Sequence, residues 1–318
     1  MKKVLLFILA AFAYSLSIIA TTNMCIKFYD GKIVKYDVDN IAEVFYEKNS
    51  SIISEDTTAI DTSATPLRFG IIFSPTFDTI DIAVVSSPCS DFDSTIVIPS
   101  KVRMGGKVYP VTSIESQAFE GCSSLTSIEI PSGVTSIGSQ AFEGCSSLTN
   151  IEIPSGVTSI GAYAFINCSG LTNIEIPSSV TSIGENAFNS CSGLTNIEIP
   201  SSVTNIGSRA FSGCSVLASI NVALENHYYS SKDGILYDKE VKEIITAPSG
   251  IKGSIEIPSS VTSIGNDAFS GCSGLTSIEI PESVTNIGNY AFSNCSSLMS
   301  IKIPSGVTSI GAYAFINC

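Results

Sequence analysis

Hydrophobic and polar positions recur with a period of 23 residues over the C-terminal two thirds of this chain. Residues 134–154, VTSIGSQAFEGCSSLTNIEIP, return nearly unchanged from positions 157, 180, 261 and 284. A unit this short cannot enclose a core alone, so the copies must stack and share one. The VTSI or VTNI element begins eight times, at Val111, Val134, Val157, Val180, Val203, Val261, Val284 and Val307.

Each unit contains one clear strand pattern. Ile151 and Ile153 flank Glu152, and this alternation predicts a strand with both isoleucines inward and the glutamate outward. Pro154 ends the strand because proline cannot donate to a ladder. The apolar positions of the whole unit are Val134, Ile137, Ala141, Phe142, Cys145, Leu148, Ile151 and Ile153.

The remainder of the unit predicts two further elements. Residues 134–137 are β-branched in part and predict a second extended stretch, closed by Gly138. Residues 141–145 have the spacing of one helical turn, with Phe142 and Cys145 on the same side. Each coil is therefore expected to run strand, turn, strand, helical turn, with parallel coils roughly 4.8 Å apart.

These motifs carry a family resemblance. Leu148-x-x-Ile151-x-Ile153 is an LxxLxL core, and the wider unit, VTSIGxxAFxGCSxLTxIxIPSS, resembles the BspA-like leucine-rich repeats of bacterial surface proteins. The resemblance implies a curved solenoid, export to the cell surface and a role in adhesion. The asparagine that usually follows LxxLxL in this superfamily is replaced, as at Ser155-Gly156. The amides of that turn must then find other acceptors.

The predicted fold class is a β-rich α/β solenoid, a right-handed leucine-rich-repeat coil stack of 23-residue units with an N-terminal β cap. The spacing from Pro200 to Pro258 breaks the period, and an insert at 223–254 holds the extra residues. Asp233-Gly234 predicts a hairpin projecting from one coil. The predicted divisions are a signal peptide (1–20), a β-hairpin module (21–48), a linker (49–65), the cap (66–110) and the solenoid (111–318).

Both ends of the chain carry expectations of their own. Lys2, Lys3 and the apolar stretch after them predict an export signal, with an uncleaved anchor or lipidation at Cys25 as alternatives. All three place the protein outside the cytoplasm, secreted or at the cell surface. The sequence stops within a unit at Cys318, which favours a fragment of a longer protein or end-to-end self-association.

Composition and motifs exclude some functions. The net charge is −13, with 29 acidic and 16 basic residues, and this balance disfavours nucleic acid. Membrane contact is expected through the signal or an anchor alone. With a single histidine, His227, and no nucleophile motif, no catalytic residue and no cofactor are predicted. The protein is therefore not expected to be an enzyme.

Ten cysteines are present, and eight occur once per repeat. Stacked parallel side chains do not face one another as a disulfide requires, so this row predicts buried free thiols rather than a metal site. Cys25 and Cys89 lie outside the repeats, and a disulfide between them is an open alternative. The thiol row consists of Cys122, Cys145, Cys168, Cys191, Cys214, Cys272, Cys295 and Cys318.

The outward positions of the repeat strand are the first candidates for partner binding. The acidic row consists of Glu129, Glu152, Glu175, Glu198, Glu256 and Glu279. Asn150, Asn173 and Asn196 stand two positions earlier. A role in solubility is one interpretation of the acidic row. Docking of basic patches or weak Ca²⁺ binding is the other.

The insert tyrosines Tyr228, Tyr229 and Tyr237 are the second candidates, although they equally suit packing of the hairpin. The preferred function is an adhesin that recognises host or bacterial surface proteins through the solenoid face. The alternative is a structural, self-associating surface protein. A third reading is carbohydrate capture by the insert tyrosines.

Overall fold

A computed structural model describes residues 23–27, 33–37, 60–61, 67–73, 80–86, 89, 94–104 and 107–318. The predicted signal peptide and most of the predicted linker lie outside these residues. The chain forms two compact units, Met1–Thr58 with Gly105–Lys107, and Ala59–Met104 with Val108–Cys318. In the first unit, β1 (Asn23–Lys27) and β2 (Ile33–Asp37) pair antiparallel, and both lie within residues 21–48, for which a β-hairpin module is predicted.

The remaining strands are short, and most of them follow the repeat. In chain order they are β3 (Ile60–Asp61), β4 (Arg68–Phe73), β5 (Ile80–Ser86), β6 (Thr95–Val97), β7 (Lys101–Met104), β8 (Lys107–Ile114), β9 (Ser127–Glu129), β10 (Ser136–Ile137), β11 (Asn150–Ile151), β12 (Ser159–Ile160), β13 (Ser182–Ile183), β14 (Asn196–Ile199), β15 (Asn205–Ile206), β16 (Ser219–Val222), β17 (Tyr229–Lys232), β18 (Ile235–Asp238), β19 (Glu243–Thr246), β20 (Lys252–Glu256), β21 (Ser263–Ile264), β22 (Gly274–Glu279), β23 (Asn286–Ile287) and β24 (Ser309–Ile310).

Two parallel ladders run through the coil stack. In the first ladder, VTSI or VTNI strands of successive coils pair in register, as Ile137 does with Ile160. The second ladder joins the LxxIxI strands, as in the pairing of Asn150 with Ser127. The hydroxyl of Thr135 donates to the carbonyl of Thr112, 23 residues away. Equivalent positions of adjacent coils are therefore one sequence period apart. The chain is therefore a β-solenoid, as predicted.

Cap strands continue both ladders below the first coil. Strand β6 pairs parallel with β9 and aligns Ile96 with Ile128, so IVIP at 96–99 takes the place of a repeat strand. Strand β5 pairs parallel with β8. Strand β3, which lies inside the predicted linker, pairs with β7. The apolar end of the first coil is thus covered by strands that mimic a coil.

The predicted helical turn is not a helix, and the described residues contain none. In the segment from Gln140 to Cys145, Gln140 has φ 59° and Gly144 has φ 71°, in the left-handed region that a right-handed helix does not use. Alternate amides of the segment donate to the next coil, as Phe142 N does to Ala164 O at 2.8 Å. These inter-coil bonds take the donors that an α-helix would need, which explains the difference from the prediction.

The core is a set of stacked rows that pass from coil to coil. Phe119, Phe142, Phe165, Phe188 and Phe211 lie in near-parallel rings with centroids 5.1 to 5.7 Å apart. Phe269, Phe292 and Phe315 form a second such row. The rows follow from the repeat because every copy offers the same side chain at the same height. Each stacked pair contributes roughly 0.5–1.5 kcal/mol beyond its buried area.

The turn that lacks the family's asparagine finds its acceptor in the backbone. The amide of Val157 donates to the carbonyl of Pro154 at 3.0 Å, and each regular coil repeats this bond. Where the coil has serine before the valine, its hydroxyl adds a contact to the coil below, as Ser179 Oγ does to Val157 O at 2.6 Å. The proline carbonyl therefore accepts from the amide of this turn.

The insert forms the predicted hairpin but does not project. Strands β17 and β18 pair antiparallel around Asp233-Gly234, both of which have positive φ as a tight hairpin turn needs. Strand β18 pairs with β19, and β19 pairs parallel with β21. The hairpin therefore lies within the stack, because both neighbouring coils need an apolar surface to pack against. We call residues 223–257 the irregular coil.

Candidate binding surfaces

The acidic row lies on the second ladder with every carboxylate exposed. Glu152 and Glu175 form a parallel bridge, and Glu256 aligns with Glu279 in adjacent strands. Within the described part of the chain, none of the six glutamates forms a salt bridge. The flanking isoleucines point inward, since Ile151 is 3% and Ile153 5% exposed. The alternation thus places the glutamates outward as predicted.

The row is divided by the irregular coil. Glu129, Glu152, Glu175 and Glu198 occupy four successive coils, and the next position holds Asn221, aligned with Glu198. The asparagines at 150, 173 and 196 are exposed as well. Adjacent carboxylates one strand spacing apart repel each other by about 1 kcal/mol at the dielectric of water. Cationic groups from a partner would relieve that repulsion.

The three candidate tyrosines have different environments. Tyr237 is 1% exposed, and its burial, followed by the charge of Asp233, raises its pKa to about 12. Tyr229 is half-buried, and its hydroxyl accepts a hydrogen bond from the amide of Ile206 at 3.0 Å. Tyr228 is 54% exposed. Tyr237 and Tyr229 therefore pack the hairpin, and Tyr228 alone of the three is an exposed residue.

The thiol row is buried and free in its interior, as predicted. Above a regular coil, the thiol donates to a phenylalanine carbonyl of the preceding coil, as Cys168 Sγ does to Phe142 O at 3.1 Å. Cys272, above the irregular coil, instead donates to Pro248 O at 3.7 Å. Burial raises the pKa of the Cys145 and Cys214 thiols to about 12. Burial also raises the pKa of Cys191, and the neighbouring thiols Cys214 and Cys168 raise it further. Such thiols are weak nucleophiles because the thiolate is the reactive form.

The first member of the row departs from the prediction. Cys122 is joined to Cys89 by a disulfide with the two Cα atoms 5.0 Å apart, so Cys122 is not a free thiol. The suggested bond between Cys25 and Cys89 is wrong for the same reason. Parallel stacking keeps cysteines of neighbouring coils from facing one another, but Cys89 belongs to the irregular cap and is free of that geometry.

A cleft beside the irregular coil was missed by sequence reasoning. Arg209 Nε lies 2.9 Å from Asp267 Oδ1, and the guanidinium carbon lies 5.3 Å from the ring centroid of Tyr290. Burial raises the pKa of Asp267, while the Arg209 hydrogen bond and charge oppose that rise. All three residues occupy the repeat position that precedes Ala-Phe. Opposite charges at one repeat position in nearby copies are the sequence signal for this pair.

The repeat pattern matches a known family model. The model for the BspA type leucine-rich repeat region matches residues 112–232 and 250–318, in six copies. This chain belongs to the BspA-type leucine-rich repeat family. The matched residues cover the solenoid on both sides of the irregular coil, so the family resemblance noted from the repeat motif is confirmed.

Solved structures of bacterial leucine-rich repeat proteins are similar to this BspA-type chain. A leucine-rich cell surface protein from Faecalibacterium prausnitzii is 29% identical, with a TM-score of 0.58, over 86% of this chain and 82% of that one. A leucine-rich repeat protein from Eubacterium ventriosum is 26% identical, with a TM-score of 0.55, over 66% of this chain and 64% of that one. We found no curated protein whose sequence matches.

A third structure supports the fold alone. The pneumococcal vaccine antigen PcpA is 24% identical, with a TM-score of 0.62, over 82% of this chain and 72% of that one. The BspA-type family is a repeat family and not a known enzyme family. In the described ranges no helix has the length and apolar content to cross a membrane. The same residues contain no group of three or more histidine, cysteine or acidic side chains placed to hold a metal ion.

Proposed function

We propose that this BspA-type protein is exported and binds extracellular proteins or neighbouring cell surfaces through the acidic row, as an adhesin does. The observation that carries the proposal is the exposure, in register, of carboxylates on successive strands, Glu152 next to Glu175 among them. The partner is a protein that presents basic side chains. Tyr228 is a secondary contact.

Three observations support export. The Cys89–Cys122 disulfide suits an oxidising compartment, since disulfides are rare in the reducing cytosol. The similar protein from Faecalibacterium prausnitzii is described as a cell surface protein. The positively charged and apolar start of the sequence fits an export signal. Secretion or surface display is therefore part of the proposal.

Electrostatics and repetition support the acidic row as the binding surface. Every described glutamate of the row lacks an intramolecular cation, so a basic partner removes repulsion without breaking an existing salt bridge. Single exposed ion pairs contribute about 0–1 kcal/mol each. Several such contacts on a rigid scaffold add together, which gives avidity from weak contacts. Binding of this kind weakens as salt screens the charges.

Charge reversal tests the proposal. Purified protein is passed over immobilised extracellular-matrix proteins and over intact bacterial cells, and bound protein is measured against concentration. We expect saturable binding that falls with added salt and drops at least about tenfold in the Glu152→Lys, Glu175→Lys variant. The matched control is Glu120→Lys, Glu185→Lys, which makes the same charge change at exposed positions of the turn segment.

Three results would count against the acidic row. Equal losses of binding in both double variants would show that binding depends on net charge and not on the acidic row. Undiminished binding by the Glu152→Lys, Glu175→Lys variant would exclude the row. A folded protein that binds no surface but assembles with rising concentration in analytical ultracentrifugation would favour the structural, self-associating alternative.

A further inference from the structure

The irregular coil leaves a cleft in the coil stack. Its cavity volume is about 180 Å³. The walls come from three levels, residues 206–210 of the coil below, residues 243, 245 and 246 of the irregular coil, and residues 265–267 of the coil above. Since one water occupies about 30 Å³ in the liquid, the space is several times larger than a single water.

The regular set of inter-coil hydrogen bonds is incomplete at this level, where neither Arg209 N nor Phe211 N donates to a backbone carbonyl of the described residues. In regular coils the amide before Ala-Phe donates to the coil above, as Asn186 N does to Ser208 O at 3.0 Å and Asp267 N to Asn289 O at 2.9 Å. The irregular coil has no matching residue, because β19 ends at Thr246 and leads directly into Ala247. Among the described residues, Arg209 N therefore donates to no partner and Asn266 O accepts from none.

The charges in the cleft are also unequal. The Arg209 side chain forms a salt bridge with Asp267, and this salt bridge spans the cleft from the coil below to the coil above. The half-buried carboxylate of Glu243 has no cationic partner in the part of the chain that the structure describes. Its Oε1 atom would lie 3.2 Å from a Cβ built on Gly265, which places the carboxylate at the cleft wall. Burial, followed by the charge of Asp238, raises the pKa of Glu243, so a nearby positive group would be favourable.

We propose that the cleft binds one peptide group of an extended partner chain and places an adjacent lysine or arginine side chain against Glu243. A peptide group carries both the carbonyl that Arg209 N–H lacks and the N–H that Asn266 C=O lacks. The added segment would complete one rung of the stack, as in peptide recognition by β-strand addition. The cleft lies beside the first ladder, whereas the acidic row lies on the second, so the inference goes beyond the proposed function.

The full chain can report on this site through its arginines. Arginine occurs three times in the sequence, at Arg68, Arg103 and Arg209, so ¹⁵N-arginine labelling gives three backbone amide signals. The probe is N-acetyl-lysine N-methylamide, which has two peptide groups and one ammonium group. We expect a saturable shift of the Arg209 signal, with Arg68 and Arg103 unmoved. The norleucine analogue, which lacks the ammonium group, should bind about tenfold more weakly.

Substitution separates the two parts of the proposal. Glu243→Gln should remove the preference for lysine over norleucine, and Glu240→Gln, an exposed neighbour outside the cleft, should keep it. Absence of a saturable Arg209 shift with either probe would overturn the site as a whole. A lysine preference that survives Glu243→Gln would overturn the role of Glu243. None of these outcomes depends on the acidic row, whose failure is measured separately by surface binding.

Discussion

Cys89 and Cys122 join the cap to the first coil by a disulfide that closes a span of 33 residues. Cys122 stands in the row whose interior members are free thiols, so one repeat position has two different chemistries. The difference comes from the neighbour below. An interior cysteine has another coil of the solenoid beneath it, whereas Cys122 has the cap. The disulfide therefore marks the place where the repeat begins.

Removal of this bond should loosen the cap. A closed loop of this length restricts the unfolded chain by about 3–4 kcal/mol in the chain-entropy estimate. We expect Cys89→Ala to lower the free energy of unfolding by about that amount, measured by urea denaturation. The wild type should lose the same amount when a reductant is added, and Cys89→Ala should not respond to reductant. A variant that remains sensitive to reductant would show that another disulfide stabilises the fold.

The buried thiols predict a loss of stability at high pH. Burial raises the pKa of Cys145, Cys214 and Cys295 from 9.0 to about 12, so the native chain holds protons that the unfolded chain releases. Their contribution is complete below about pH 9 and is lost as pH rises toward 12. Each thiol should lower the free energy of unfolding by about 1.4 kcal/mol per pH unit in that window. Denaturant titrations at pH 7.5 and 10 measure the slope.

The control for that slope removes two other thiols, Cys168 and Cys191, whose pKa values are also raised by burial and by neighbouring thiols. Cys168→Ala, Cys191→Ala should lower stability at neutral pH but give a shallower decline toward alkaline pH. An unchanged slope would assign the alkaline loss to lysine and tyrosine side chains instead. In the native wild type at pH 8, a thiol of pKa about 12 has a thiolate fraction of about 10⁻⁴, so thiol reagents should spare the interior row.

How much of this could be read from the sequence depends on the element. The Ile151-Glu152-Ile153 alternation predicted strand, core face and outward carboxylate, because each follows from a period of two. The helical turn predicted at 141–145 was wrong, although the apolar spacing of that segment fits such a turn. The deciding hydrogen bonds run between coils, and no single unit contains both partners. The same holds for Arg209 and Asp267, which meet because the irregular coil lacks a residue between them.

Close contact between coils predicts opposite outcomes at two glycines. A Cβ at Gly184 would lie 2.4 Å from Ala162 N, so the coils would have to separate. We expect Gly184→Ala to lower the free energy of unfolding by about 3 kcal/mol or more, because the obstacle is backbone that cannot move aside. Thermal unfolding followed by circular dichroism measures the effect.

The matched substitution is Gly156→Ser. A Cβ at Gly156 would lie 3.3 Å from Val134 O, and the equivalent Ser179 donates to Val157 O at 2.6 Å. We expect Gly156→Ser to change stability by less than about 1 kcal/mol, or to raise it, because the hydroxyl gains a partner and the unfolded chain loses freedom. Similar losses at both glycines would contradict the distinction between the two contacts.

Asn226 predicts how the loop before the hairpin is held. The residue is fully buried, and its amide nitrogen donates to Pro200 O at 2.8 Å and Val203 O at 3.0 Å. Its side-chain oxygen accepts from the amides of Tyr228 and Tyr229, each at 2.8 Å. Asn226 therefore connects the coil below to the loop that carries the exposed Tyr228. No other amino acid has the two donors and one acceptor oxygen at this length.

Replacement of this side chain should free the loop. Asn226→Ala leaves four groups unpaired, at about 1–3 kcal/mol each before rearrangement. Asn226→Asp keeps the shape but replaces both donors with a buried negative charge beside two carbonyls. We therefore expect Asn226→Asp to lose more stability than Asn226→Ala. Hydrogen exchange at the amides of Tyr228 and Tyr229 should accelerate in both variants, while exchange in β10 to β13 stays slow. Protection that persists at Tyr228 and Tyr229 would mean that the hairpin itself holds the loop, and that Asn226 is needed for packing alone.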